Sequence, residues 1–107
     1  MVCDITGLQI ANASLLDEAT ACAEAMTLCF RHNKRGKVFF VDENLHPQNI
    51  ALVQARAEPL NLKIKVQNFE QMDFSAGDVA GVMVQYPDTN GCVANFETLI
   101  QNAKRNG

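Results

Sequence analysis

Apolar and polar positions along the chain change period several times, and each change marks an element. From residue 14 to about 31, Leu15, Ala19, Cys22, Met26 and Cys29 recur at three- and four-residue steps with alanines between them, which predicts an amphipathic helix. Ser14 followed three residues later by Asp17 forms a capping-box-like start. Arg31, His32, Lys34 and Arg35 gather where that helix should end, and Gly36 closes the turn. Val38-Phe39-Phe40-Val41 is apolar at every position, as expected of a strand covered on both faces. Pro47 opens a second helix whose buried stripe is Ile50, Val53 and Ala57, and Pro59 stops it. Residues 62–66 alternate apolar and cationic through Lys63 and Lys65, the pattern of a half-exposed strand at a sheet edge. A polar connection from about Gln67 to Asp78 holds no convincing helix, and Val79 to Val84 is again apolar without interruption. After the turn Y-P-D-T-N-G, the residues Val93, Phe96, Leu99, Ile100 and Ala103 predict the inner face of a last helix. Asn90-Gly91 is also a hairpin signal, but the helical period after Cys92 opposes a returning strand.

The order α-β-α-β-β-α predicts an α/β architecture, a parallel sheet with helices on both faces. A right-handed crossover pairs the 38–41 strand with the lysine-bearing 62–66 strand, which suits an outer edge. The 79–84 strand then lies on the other side of 38–41, giving the spatial order third, first, second. It becomes an edge with the sequence of a central strand, a hazard that natural proteins cover. The expectation is a single partial domain over 1–107, belonging to a larger sheet whose next strands lie beyond Gly107 or come from another chain.

Composition narrows the function classes. A net charge of −3 gives no electrostatic case for nucleic acid or an anionic membrane, and R-H-N-K-R-G-K is short and lacks an aromatic partner. No apolar run approaches the roughly 20 residues that span a bilayer. Cys3, Cys22, Cys29 and Cys92 follow no signal-peptide pattern and no zinc spacing, so reduced thiols in a reducing compartment are expected, and the formal sequon Asn12-Ala13-Ser14 is expected to stay unmodified. Asp17 and Glu18 in a first helical turn satisfy the helix dipole, and His46 before a proline reads as a loop residue. No G-x-S-x-G and no glycine-rich phosphate loop is present. Lys34, Lys37 and Lys104 flank element ends while Lys63 and Lys65 occupy an exposed strand face, so none is a desolvated nucleophile. No catalytic residue and no metal ligand is expected in the chain.

Four long segments carry a family resemblance: V-C-D-I-T-G-L-Q-I-A-N-A-S-L-L-D-E-A-T-A-C-A-E-A-M, H-P-Q-N, R-A-E-P-L and D-F-S-A-G-D-V-A-G-V-M-V-Q-Y-P-D-T-N-G. Together they resemble the N-terminal half of the glycine decarboxylase P-proteins, nearly from Met1 to Gly107. The resemblance implies part of the large domain of a fold-type-I pyridoxal-phosphate-dependent transferase, an aminotransferase-like three-layer αβα fold. It implies a parent enzyme, an oxidoreductase that decarboxylates glycine through pyridoxal phosphate and passes the aminomethyl group to the lipoyl arm of the H-protein. The cofactor and its lysine belong to the C-terminal half, on the same or a separate chain, which is the implied partner. This segment is then scaffold or interface, inactive alone, with no cofactor of its own. By the same resemblance Ser14, Leu15, Leu16, Asp17 and Glu18 correspond to a vestigial phosphate cup filled by its own carboxylates, while His46, Asp88 and Thr89 line the cleft. The implied location is the mitochondrial matrix in a eukaryote, or the cytoplasm in a bacterium. A free-standing, non-catalytic α/β interaction or regulatory domain derived from that half is the alternative; an unrelated small α/β hydrolase or binding domain is a weaker one.

Overall fold

The computed structural model describes residues 1–13 and 15–107. Its elements are α1 (Val2–Thr6), α2 (Glu18–His32), β1 (Val38–Asp42), α3 (Pro47–Ala57), β2 (Lys63–Gln67), β3 (Val79–Met83) and α4 (Glu97–Arg105), with single 3-10 turns at Glu58–Leu60 and Phe69–Gln71. The three strands form one sheet in the order β2-β1-β3, and both pairings are parallel. The third-first-second order predicted from the lysine-bearing strand is the order found.

Every residue of β1 is buried, and side-chain alternation sends them to two separate cores. Phe39 and Val41 pack with Met26 of α2 and Val53 and Ala57 of α3. Val38 and Phe40 pack on the opposite face with Phe74 and with Leu99 of α4. The sheet is therefore the middle of three layers, which is why β1 carries no polar residue until Asp42. Aromatic edges complete the second core: the rings of Phe40 and Phe74 meet at 5.5 Å, and those of Phe69 and Phe96 at 4.9 Å. On β2 both lysines are exposed, as an outer edge requires. The other flank of the sheet differs: β3 is half-buried throughout and among the described residues has no strand beyond it, and an apolar-walled hollow of about 220 Å³ opens beside Phe74, Val79 and Ala103.

Three local expectations are corrected and one, at Gly36, is met. The first long helix starts at Glu18 rather than Ser14, because Asp17 is extended (φ −153°, ψ 175°) and its carboxylate accepts the Thr20 N–H at 2.7 Å. Leu15, expected in the buried stripe, precedes the helix and is exposed; Ser14 itself lies outside the described residues. Gly36 closes the turn after α2 as expected, its N–H donating to the carbonyl of the C-cap Asn33 at 3.0 Å, and it sits against β3, where a Cβ would lie 2.5 Å from Ala80 Cα and 2.9 Å from its nitrogen. Val93, expected on the inner face of the last helix, is 65% exposed, because the 88–92 turn and Phe96 delay the helix to Glu97. The five-residue α1 is too short to announce itself by period, and it buries none of its residues.

The core assignments carry different costs. Met26 is fully buried and Leu28, two residues on, is 64% exposed. Met26→Ala is expected to cost about 2–5 kcal/mol and Leu28→Ala no more than about 0.5 kcal/mol, read as the difference in urea midpoint between the variants.

Candidate functional site

In a parallel sheet the loops that leave the carboxyl ends of the strands form the natural cleft. Here two such loops meet, residues 43–46 after β1 and 84–92 after β3, because β1 and β3 are neighbours. Thr89 ties them together: its backbone N–H and its hydroxyl both donate to the Asn44 carbonyl, at 3.0 Å and 2.8 Å. Its oxygen also lies 3.2 Å from His46 Nδ1. The His46 backbone N–H donates to Gln85 Oε1 at 2.9 Å, and Gln85 Nε2 in turn donates to the Pro87 carbonyl at 3.2 Å. His46 is thus held at its main chain by one residue of the β3 loop and at its ring by another.

Asp88 shapes the turn that delivers Thr89. Its Oδ1 accepts the N–H groups of Asn90 and Cys92, both at 2.9 Å, while its own N–H donates to the Cys92 carbonyl at 3.0 Å. Gly91 takes φ 76°, the left-handed conformation that such a tight reversal requires. The Asn90-Gly91 signal therefore marks a turn inside a loop, and no strand returns from it.

Beneath the rim lies Asp42, the last residue of β1, 1% exposed, whose Oδ1 has no hydrogen-bond partner among the described residues. Burial pushes its carboxyl above the ordinary value near 3.8, and the charges of Glu43 and Asp88 push in the same direction. The backbone N–H groups of Asn44 and Phe69 pull the other way. Burying a carboxylate oxygen without a partner disfavours the charged form, which is the direction of that shift.

The structure brings together the residues expected to line a cleft: His46 and Thr89 touch, and Asp88 builds the turn beside them. It adds Asp42, Asn44 and Gln85, which carried no signal in the sequence because their roles depend on strand adjacency. The expected anion cup divides differently. Leu15 and Leu16 are exposed and precede α2, Asp17 is the N-cap, and Glu18 is the first helical residue. The Thr20 N–H and hydroxyl hold the Asp17 carboxyl below its ordinary value. The helix N-terminus carries its own anions, Asp17 as the capping carboxylate and Glu18 in the first turn.

Elsewhere the chemistry is sparse. Cys22 and Cys29 pack between α2 and the sheet, and burial pushes both thiols up. Among the described residues no group of three or more His, Cys, Asp or Glu is placed to hold a metal ion, and no helix is long and apolar enough to cross a membrane. A hollow of about 370 Å³ lined by His32, Asn33, Lys34, Arg35 and Gly107 lies at the amino ends of the strands, away from the rim.

The family model described as glycine cleavage system P-protein matches residues 1–107. Glycine dehydrogenase (decarboxylating), mitochondrial, of Mus musculus is 58% identical over 107 residues, covering all of this chain and 10% of the mouse protein. Glycine dehydrogenase (decarboxylating) of Allorhizobium ampelinum is 54% identical over 107 residues, covering 99% of this chain and 11% of that protein. In three dimensions the chain is similar to the crystal structure of glycine decarboxylase (P-protein) of the glycine cleavage system in inhibitor-bound form. That likeness has a TM-score of 0.81 and 27% identity, over 98% of this chain and 25% of that one. The chain spans about a tenth of the length of the curated relatives it matches.

Asp17 and Asp42 titrate against stability in opposite directions. The Asp17 carboxyl, held below 3.8 in the fold, stabilises above that value, and its contribution is lost as pH falls through its folded value. The Asp42 carboxyl, raised above 3.8, keeps in the fold a proton that the unfolded chain releases. Stability therefore declines as pH rises from there to its folded value. Asp42→Asn is expected to remove that decline, and Asp17→Asn to leave it in place, in urea unfolding followed from acidic to neutral pH. An unchanged decline in Asp42→Asn contradicts the assignment.

Proposed function

The chain belongs to the glycine cleavage system P-protein family, and from that premise we propose that it is a scaffold and interface segment of the large domain in the N-terminal half of such a protein. The parent enzyme decarboxylates glycine with pyridoxal phosphate and transfers the aminomethyl group to the lipoyl arm of the H-protein. The lysine that holds the cofactor belongs to the C-terminal half, on the same chain or another. In a eukaryote the parent works in the mitochondrion, as the name of the mouse relative has it, with the matrix as the proposed compartment, and in a bacterium in the cytoplasm.

The observation that carries the scaffold reading is the placement of the lysines. Lys34, Lys37, Lys63, Lys65 and Lys104 are all exposed, none belongs to the loops of the rim, and a cofactor-attaching lysine needs a desolvated site. The N-terminus of α2, the natural seat for a phosphate, already holds the Asp17 carboxylate. The residues of this chain therefore do not fit pyridoxal phosphate as a resident group, and its chemistry is assigned to the other half.

The interface reading rests on two uncovered apolar surfaces. Met1, Val2, Ile5, Leu8, Ile10, Leu15 and Leu16 are all exposed within the first sixteen residues, a concentration that a free domain avoids. The unpaired flank of β3 is the second. Both are surfaces for the remainder of the P-protein to cover, which favours a large-domain segment over a free-standing regulatory domain.

Treatment of the chain with pyridoxal phosphate and then borohydride is expected to give no adduct concentrated at one lysine. Mass spectrometry showing a single stoichiometric lysine adduct would overturn the scaffold reading.

A further inference from the structure

The Thr89 hydroxyl has one proton, and its surroundings decide where that proton points. Asn44 O lies 2.8 Å from Thr89 Oγ1, and a carbonyl oxygen can only accept, so the hydroxyl proton lies between those two oxygens. The 3.2 Å contact between the same Oγ1 and His46 Nδ1 must then be filled by a proton on the ring nitrogen. A bare Nδ1 there would face an oxygen lone pair. We infer that Thr89 fixes His46 in the tautomer protonated at Nδ1, so that the neutral ring presents Nε2 from the rim as an acceptor for an N–H or O–H donor.

The arrangement is pre-set. The carbonyl of Asn44 is held by two donors from Thr89, and the backbone of His46 is pinned by Gln85, so neither end of the relay is free to rotate away. The half-buried ring keeps one nitrogen committed inside the rim, and the other is left to what seats there. Thr89 is a positioning residue, acting through His46. The group that Nε2 receives bears a hydrogen-bond donor, an amine, amide or hydroxyl, and a bare carboxylate or phosphate oxygen does not satisfy it. This deepens the reading of His46 and Thr89 as cleft-lining residues, and the tautomer can be measured whether or not the parent chemistry is as proposed.

The test is nitrogen NMR of the chain labelled with 15N-histidine, recorded at a pH where the imidazoles are neutral. His46→Gln identifies the signals, and exposed His32 serves as the internal reference. For His46 the expected pattern is a protonated Nδ1 and an unprotonated Nε2. Thr89→Ser, which keeps the hydroxyl, is expected to retain it, whereas Thr89→Val shifts the ring toward the form protonated at Nε2. A wild-type ring carrying its proton on Nε2 overturns the inference, and so does a folded Thr89→Val variant with an unchanged tautomer. The wild-type spectrum alone decides if the valine variant does not fold.

Discussion

The structure depends on burying β1 on both faces. Five consecutive buried residues need an apolar layer above and below, and α2 with α3 on one side and α4 on the other provide them. Once β1 is central, its two parallel neighbours follow, and the loops after β1 and β3 must emerge side by side. The rim that carries His46 and Thr89 above the buried Asp42 is a consequence of that packing. It needs no element of its own.

Central burial also explains why the close-packed contacts are backbone-near. Gly36 and Gly81 are places where the chain passes too close to a neighbour for a side chain. A Cβ at Gly81 would lie 2.8 Å from Cys29 Sγ and 3.0 Å from Phe39 Cε2, so α2 rests directly on β3 there. Cys29 is consequently a packing residue, small enough for a helix to approach a strand, and its partly buried thiol is poorly disposed to react.

Much of this was legible in the sequence wherever local pattern and tertiary demand agree. The uninterrupted apolar run 38–41, Pro47 at a helix start and the alternating lysines at 63 and 65 each state their environment, and together they order the sheet. The start of α2 was misread because Ser14 and Asp17 are both good caps and Leu15 stands four residues before Ala19, extending the helical period past the true beginning. Thr20, three residues after Asp17, is the residue whose N–H settles the choice. The candidate site was legible only as its separate members. His46 and Thr89 lie 43 residues apart, and the Asp42 carboxyl at the end of β1 meets the N–H of Phe69, in the connection after β2. No short window of sequence contains those relations: the first exists only once β1 and β3 are adjacent, the second only once β1 and β2 are.

The central claim is that this chain is an interface-forming segment whose β3 flank is covered in the intact protein. Amide hydrogen exchange across residues 79–83 tests it most directly, comparing the chain alone with the corresponding segment inside a full-length P-protein such as the mouse relative. Rapid exchange at the outward-facing amides of β3 in the chain, with protection of the same amides in the full-length protein, is the result the account requires. Equal protection in both would contradict it, because β3 would then be a natural edge and the chain a domain complete in itself.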